Sequence, residues 1–388
     1  MMTITIDDMK TKLLTLDQVH QKLQETEPLS VEHLTGSSSI KFKLEPGWEI
    51  PLDALDGTQP VAAVISINGH DHQLTKDAAL QVASNVGIPG SLVKKTPASH
   101  IESLLNYFYG IGMGDNEWKM LSVKENVAAF IKPKLAPFSN LMLLENAIQG
   151  IQNVYGSDVE ILADYKFTNS LHQTDVRLIV PEIERTMHDT GMIDVPEGEE
   201  DLWSAGLHLS NSITAKKMTS VEAYLFRWWC TNGATEEAGS VGKWNRRTNG
   251  QEDDVYLWAQ ENVEEVLGGL EHRFDQVQAL TNLSVDGTKT AEVLKEIFSQ
   301  YDVPVSQREQ IKDQLIQAPE LNMYTVMQSI TEVANTENLS DARADRLMRI
   351  GGDIPTAVFD TLKAKVWREG HMAAPTEANP YEITPITD

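Results

Sequence analysis

Apolar residues recur at every second position in several stretches between residues 159 and 231, and at helical spacing from Asp253 onward. That switch of period dictates the kind of fold. A period of two distributes side chains over the two faces of a strand, whereas a period near 3.6 gathers them on one side of a helix. Val159–Phe167 alternates and is broken by Thr168-Asn169-Ser170; Val176–Val180 resumes before Pro181; Trp203–Leu209 alternates again. Tyr224, Phe226, Trp228 and Cys230 then fall on one face of a strand, with Leu225, Arg227, Trp229 and Thr231 on the other. Asn232-Gly233 ends it, both residues tolerating positive φ.

Upstream, residues 1–60 read as a polar region with a short helix at Leu16–Glu25 and a Ser37-Ser38-Ser39 loop. Val61–Ile67 is β-branched and apolar and runs into Asn68-Gly69, which predicts strand then turn. Leu74–Val86 is a helix with Thr75 placed to cap it and Gly87 and Pro89 closing it. Ser99–Gly110 and Ser139–Gln152 are further helices, with a strand at Val127–Ile131 between them. Downstream, Asp253/Asp254 cap one long helix to about Thr281, followed by helices at Thr290–Tyr301, Ser306–Gln317, Tyr324–Ala334 and Ser340–Arg349, with Gly351-Gly352 as a stop. The expected class is α+β: a mostly antiparallel central sheet flanked by helices, then an all-α C-terminal region. The expected divisions are 1–60, a core domain at 61–250, a helical domain at 251–370 and a tail at 371–388.

Charge singles out one window. The chain of 388 residues has a formal net charge of −25, yet residues 205–250 carry 6 Lys/Arg against 3 Asp/Glu. The same window holds the only cysteine and three of the eight tryptophans. Cations interleaved with planar side chains are what a surface needs to follow a phosphate backbone and stack on bases. The candidate residues are Lys216, Lys217, Arg227, Lys243, Arg246 and Arg247 for phosphates and Trp244 for stacking. The acidic remainder opposes a polyanion, so nucleic-acid binding rests on this window alone. Bland roles compete here: Trp228 and Trp229 as core, and cations paired with abundant carboxylates.

Other chemistry finds little footing. A single cysteine excludes disulfide frameworks and multi-cysteine metal sites. Cys230 among aromatics reads as a small buried hydrophobe. Gly239-Ser240-Val241-Gly242-Lys243 lacks phosphate-loop spacing, and Trp244 stands where a metal-binding hydroxyl belongs. His70-Asp71-His72 offers two imidazoles and no third ligand, and reads as a polar turn. A non-enzymatic protein without cofactor or metal is therefore expected. The start, Met1-Met2-Thr3-Ile4-Thr5, is not that of a signal peptide, and no run of 18 apolar residues exists, which leads to the expectation of a cytoplasmic protein with no membrane association.

Arg227-x-x-Cys230-Thr231-Asn232-Gly233, preceded by Leu209-Ser210-Asn211-Ser212, resembles an uncharacterised family widespread in bacteriophages, plasmids and gene-transfer elements. Its members have an Asn-Ser pair after one strand and an Arg-x-Val-Cys-x-Asn string ending the next. Leu74–Gln81 with Gly87-Ile88-Pro89, Ala136-Pro137-Phe138-Ser139-Asn140, and Met327–Glu332 with Gly351-Gly352 match further pieces in order. Trp228-Trp229 departs from the usual aliphatics and Pro137-Phe138 displaces the usual tyrosine. The resemblance implies a phage or mobile-element origin and supplies no catalytic residue. Antiparallel strands followed by a long helix are also similar to the core of single-strand annealing proteins, which implies self-association into rings. The expected function is thus single-stranded nucleic-acid binding, with annealing during replication or recombination. The alternatives are an acidic protein–protein module and an enzyme using His70 and His72.

Overall fold

The computed structural model describes residues 6–25, 27, 30–34, 40–44, 60–93, 95–111, 118–123, 125–131, 139–168, 173–187, 200–212, 219–228, 233–235, 244–246, 252–334, 339 and 341–357. The chain opens with α1 (Ile6–Lys10), the two-residue strand β1 (Leu14–Thr15) and α2 (Leu16–Gln24). Thr15 starts α2 through a capping box: its hydroxyl accepts from the Gln18 amide, and the Gln18 side chain accepts from the Thr15 amide.

A first sheet follows, built from β2 (Ser30–Leu34), β3 (Ile40–Leu44), β4 (Pro60–Ile67), β5 (His70–Thr75), β6 (Trp118–Val123) and β7 (Asn126–Ile131). Its spatial order is β2-β6-β7-β5-β4-β3, and every neighbouring pair is antiparallel except β5 and β7. That parallel pair needs a long crossover, which carries α3 (Lys76–Asn85), α4 (Gly90–Val93) and α5 (Ala98–Gly110). Thr75 caps α3 as its position predicts, accepting from the Ala78 amide at 3.3 Å. Ala78, Val82, Ile101 and Leu105 from these helices pack on Ile65, Ile67, Leu74 and Phe130. His70-Asp71-His72 corrects the expectation of a polar turn. Asn68 and Gly69, at φ 52° and 88°, complete a two-residue hairpin loop by themselves, so β5 begins at His70. Residues 30–34 and 40–44, expected only as parts of a polar region, are strands.

After α6 (Asn140–Tyr155), capped by Ser139 on the Met142 amide, comes the second sheet. Its strands are β8 (Leu162–Thr168), β9 (Gln173–Thr186), β10 (Leu202–Ser212), β11 (Thr219–Arg227), β12 (Gly233–Thr235) and β13 (Trp244–Arg246). The order is β1-β8-β9-β10-β11-β12, with β13 also on β11, and all pairs are antiparallel. Pro181 does not end β9, contrary to the sequence reading. The register jumps from Ala205↔Val180 to Ser204↔Glu184, so the proline sits in a bulge where its missing N–H takes no rung from the ladder. Gly206 is required where β10 crosses β9, since a Cβ there would run into the Leu178 carbonyl.

The remaining chain is helical: α7 (Glu252–Gly268), α8 (Leu270–Ala279), α9 (Thr290–Gln300), α10 (Val305–Gln317), α11 (Met323–Ala334) and α12 (Asp341–Ala357). The single helix expected to run to Thr281 is broken at Gly269. The class is as expected, a mixed α/β region followed by a helical bundle, with the strands shared between two sheets. One face of the second sheet presents Leu178, Ala205, Leu207, Val221 and Leu225 to an apolar core that continues without interruption through α6, α7, α8, α11 and α12.

Candidate functional site

Two polar assemblies and one sheet edge meet around β10 and β11. On the face of the second sheet away from the main helical core, four side chains stand in register across four strands. Asp164 of β8 is opposite Arg177 of β9, Arg177 opposite His208 of β10, and His208 opposite Glu222 of β11. Neighbouring strands lie about 4.8 Å apart, so such a row is contiguous. Arg177 Nη1 is 3.1 Å from Asp164 Oδ2, and its guanidinium lies 5.6 Å from the centroid of the Tyr224 ring. His208, with no exposed surface, has Nδ1 3.4 Å from Glu222 Oε2 and Nε2 3.4 Å from Asp175 Oδ1. Glu222 Oε1 accepts from Arg349 Nη1 of α12 at 3.0 Å. Burial disfavours the imidazolium of His208 and Arg177 opposes it, but the Asp175 and Glu222 carboxylates outweigh both and raise its pKa above the ordinary histidine value.

On the helical side of β11 lies Arg227. Its Nε donates to Asp201 Oδ1 at 2.6 Å, its guanidinium lies 5.9 Å from the Trp203 ring centroid, and only 1% of its surface is exposed. Burial raises the pKa of Glu332 on α11, and the charge of Arg227 offsets only part of that rise. Arg227 therefore does not fit the phosphate contact expected of it. Facing the core opposite Trp203, it neutralises the buried Asp201 carboxylate and offers no surface to a ligand. Trp228 is buried too, donating its indole N–H to Ser204 Oγ at 2.8 Å, with Phe226 edge-on at 5.1 Å. Tyr224, Phe226 and Trp228 form one cluster, as their alternation predicts.

The edge is formed by β12 and β13. β12 pairs with Tyr224–Phe226 and β13 with Thr219–Val221. Arg246 stands opposite Thr219, Asn245 opposite Ser220 and Trp244 opposite Val221. This register bears on the cations. In the chain Lys216-Lys217 precede β11 and the Lys243–Arg247 stretch follows it, which by order alone would leave them at opposite ends of that strand. Instead β13 runs back along β11 and brings Arg246 to the end where β11 begins, two residues after Lys217. Lys216, Lys217, Lys243, Arg247, Trp229 and Cys230 lie outside the described residues, as do the side chains of Trp244 and Arg246.

The end of β10 and the start of β11 are joined by buried side-chain hydrogen bonds. Asn211 Nδ2 donates to Asn140 Oδ1 at 2.8 Å, and Thr219 Oγ1 donates to Asn211 Oδ1 at 2.7 Å. Asn140 is the first residue of α6, so the helix is tied to the end of β10 and the start of β11. Asn140 meets Asn211 inside the protein, and Gly351 packs against Thr331. His70 is exposed and His72 half-buried on β5, and among the described residues no group of three metal-ligating side chains occurs. Sequence reading missed His208, Asp201 and Arg349. The polar parity Ser204, His208, Ser210 along β10 was the available signal for the first.

No protein-family model matches this sequence, no curated protein matches it, and no solved structure matches the fold. Among the described residues no helix is long and apolar enough to cross a membrane.

Proposed function

We propose that this protein binds single-stranded nucleic acid along the β13 edge of the second sheet, and that it does so without catalysis. The observation carrying the reading is the register of β13 on β11. Two cationic stretches some thirty residues apart in sequence leave or reach the same end of one strand. Two residues span at most about 7 Å, and paired residues are about 5 Å apart, so both stretches are anchored within reach of one short run of phosphates. Lys216, Lys217, Lys243, Arg246 and Arg247 are assigned to phosphates and Trp244 to a base; Arg227 is withdrawn from the set. The hydrogen bonds among Asn140, Asn211 and Thr219 support the reading by fixing the end of β11 at which Arg246 stands. An annealing role in replication or recombination of a phage or other mobile element, in the host cytoplasm and as an oligomer, is the biological setting that the motif resemblance favours.

Fluorescence anisotropy with a short single-stranded oligonucleotide tests the reading. Replacing Lys243, Arg246 and Arg247 together by alanine is expected to abolish binding while leaving the circular dichroism spectrum unchanged; retained affinity would refute it. The strongly acidic remainder supports a second reading, an interaction module for a basic protein, which predicts no retention of the intact chain on DNA.

A further inference from the structure

His208 sits mid-strand with no exposed surface; its Nδ1 is in hydrogen-bond contact with Glu222 Oε2 at 3.4 Å, and its Nε2 lies 3.4 Å from Asp175 Oδ1 as an ion-pair contact without hydrogen-bond geometry. A neutral imidazole has one N–H and one lone pair, so in either tautomer one carboxylate would meet a lone pair inside the protein. Only the imidazolium combines a donor toward Glu222 with a positive charge beside Asp175. We infer that His208 is a proton-controlled latch: charged, it ties β9, β10 and β11 together and holds Glu222 in place for Arg349 of α12, and loss of its proton loosens the seam between sheet and C-terminal helix.

The surrounding charges come from four elements. Asp175 and Arg177 belong to β9, Glu222 to β11 and Arg349 to α12; on β8, Asp164 pairs with Arg177, and Lys166 stands opposite Asp175 in the register. Arg177 works against the imidazolium, and Asp164 in turn compensates Arg177. The sign follows from linkage. A histidine whose pKa is raised on folding contributes stability that is complete below its unfolded pKa of about 6.5 and is lost as the pH rises through the folded value. The latch is therefore closed in mild acid and opens toward alkaline pH. It is independent of nucleic-acid binding.

Urea unfolding of the full chain from about pH 6 to about pH 9 tests this against His208→Gln, which cannot titrate in that range. Between the unfolded and folded pKa the folding equilibrium constant of the natural protein should fall about tenfold per pH unit relative to the variant. Parallel profiles would overturn the latch. Should His208→Gln fail to fold, NMR titration of the His208 ring in the natural protein decides alone. A ring that becomes neutral only above the midpoint of an ordinary histidine supports the inference, and a ring neutral throughout the range rejects it.

Discussion

Arg227 and Asp201 form an ion pair in which neither side chain is more than 1% exposed. Removing one charge of a buried pair strands the other, at a cost of about 3–5 kcal/mol. Asp201→Ala should therefore lower stability by that amount in urea unfolding; a change below about 1 kcal/mol, typical of an exposed pair, would mean that water reaches the guanidinium. Trp228→Phe keeps the aromatic packing and removes the hydrogen bond to Ser204, so a smaller loss of about 1–2 kcal/mol is expected in the same assay. The sequence placed Arg227 on the strand face opposite Cys230 but not its surroundings. Alternation says which face a side chain shares, and only the register with β10 shows that this face is closed by Trp203 and by helices contributed from a hundred residues downstream.

At the scale of elements, local chemistry was legible where it acts locally. Thr75 caps the helix it precedes, and Asn68-Gly69 turns the β4–β5 hairpin. It failed where a residue's role is set by a neighbour distant in sequence. Gly351-Gly352 looks like a helix stop, yet α12 continues to Ala357, because a Cβ at Gly351 would run into Thr331 of α11 and the glycine is there for close helix packing. Pro181 looks like a strand end and is absorbed by a bulge. Gly206 belongs to the same class. Gly206→Ala must push β10 from the Leu178 carbonyl, and a loss of about 1–3 kcal/mol is expected, read as a lower melting temperature. An unchanged melting temperature would show that the two strands can separate without penalty.

For the whole molecule, the change of period near residue 250 marks where secondary structure changes, while the packed apolar residues run across it from the sheet into the helices. The His208 row could not be read from one dimension, since Asp164, Arg177, His208 and Glu222 become neighbours only once four strands are in register. The cationic window was visible as charge, but its geometry was not: nothing in the residues themselves says that β13 folds back on β11. That return is the basis for treating the two basic stretches as one tract, and salt dependence measures it. If five cations contact phosphate, the logarithm of affinity for single-stranded DNA should fall against the logarithm of salt with a slope of about −3.5. The Lys216→Ala/Lys217→Ala pair and the Arg246→Ala/Arg247→Ala pair should each reduce that slope by about 1.4. A slope unchanged by either pair, or no binding at low salt, would contradict a single nucleic-acid tract on this edge.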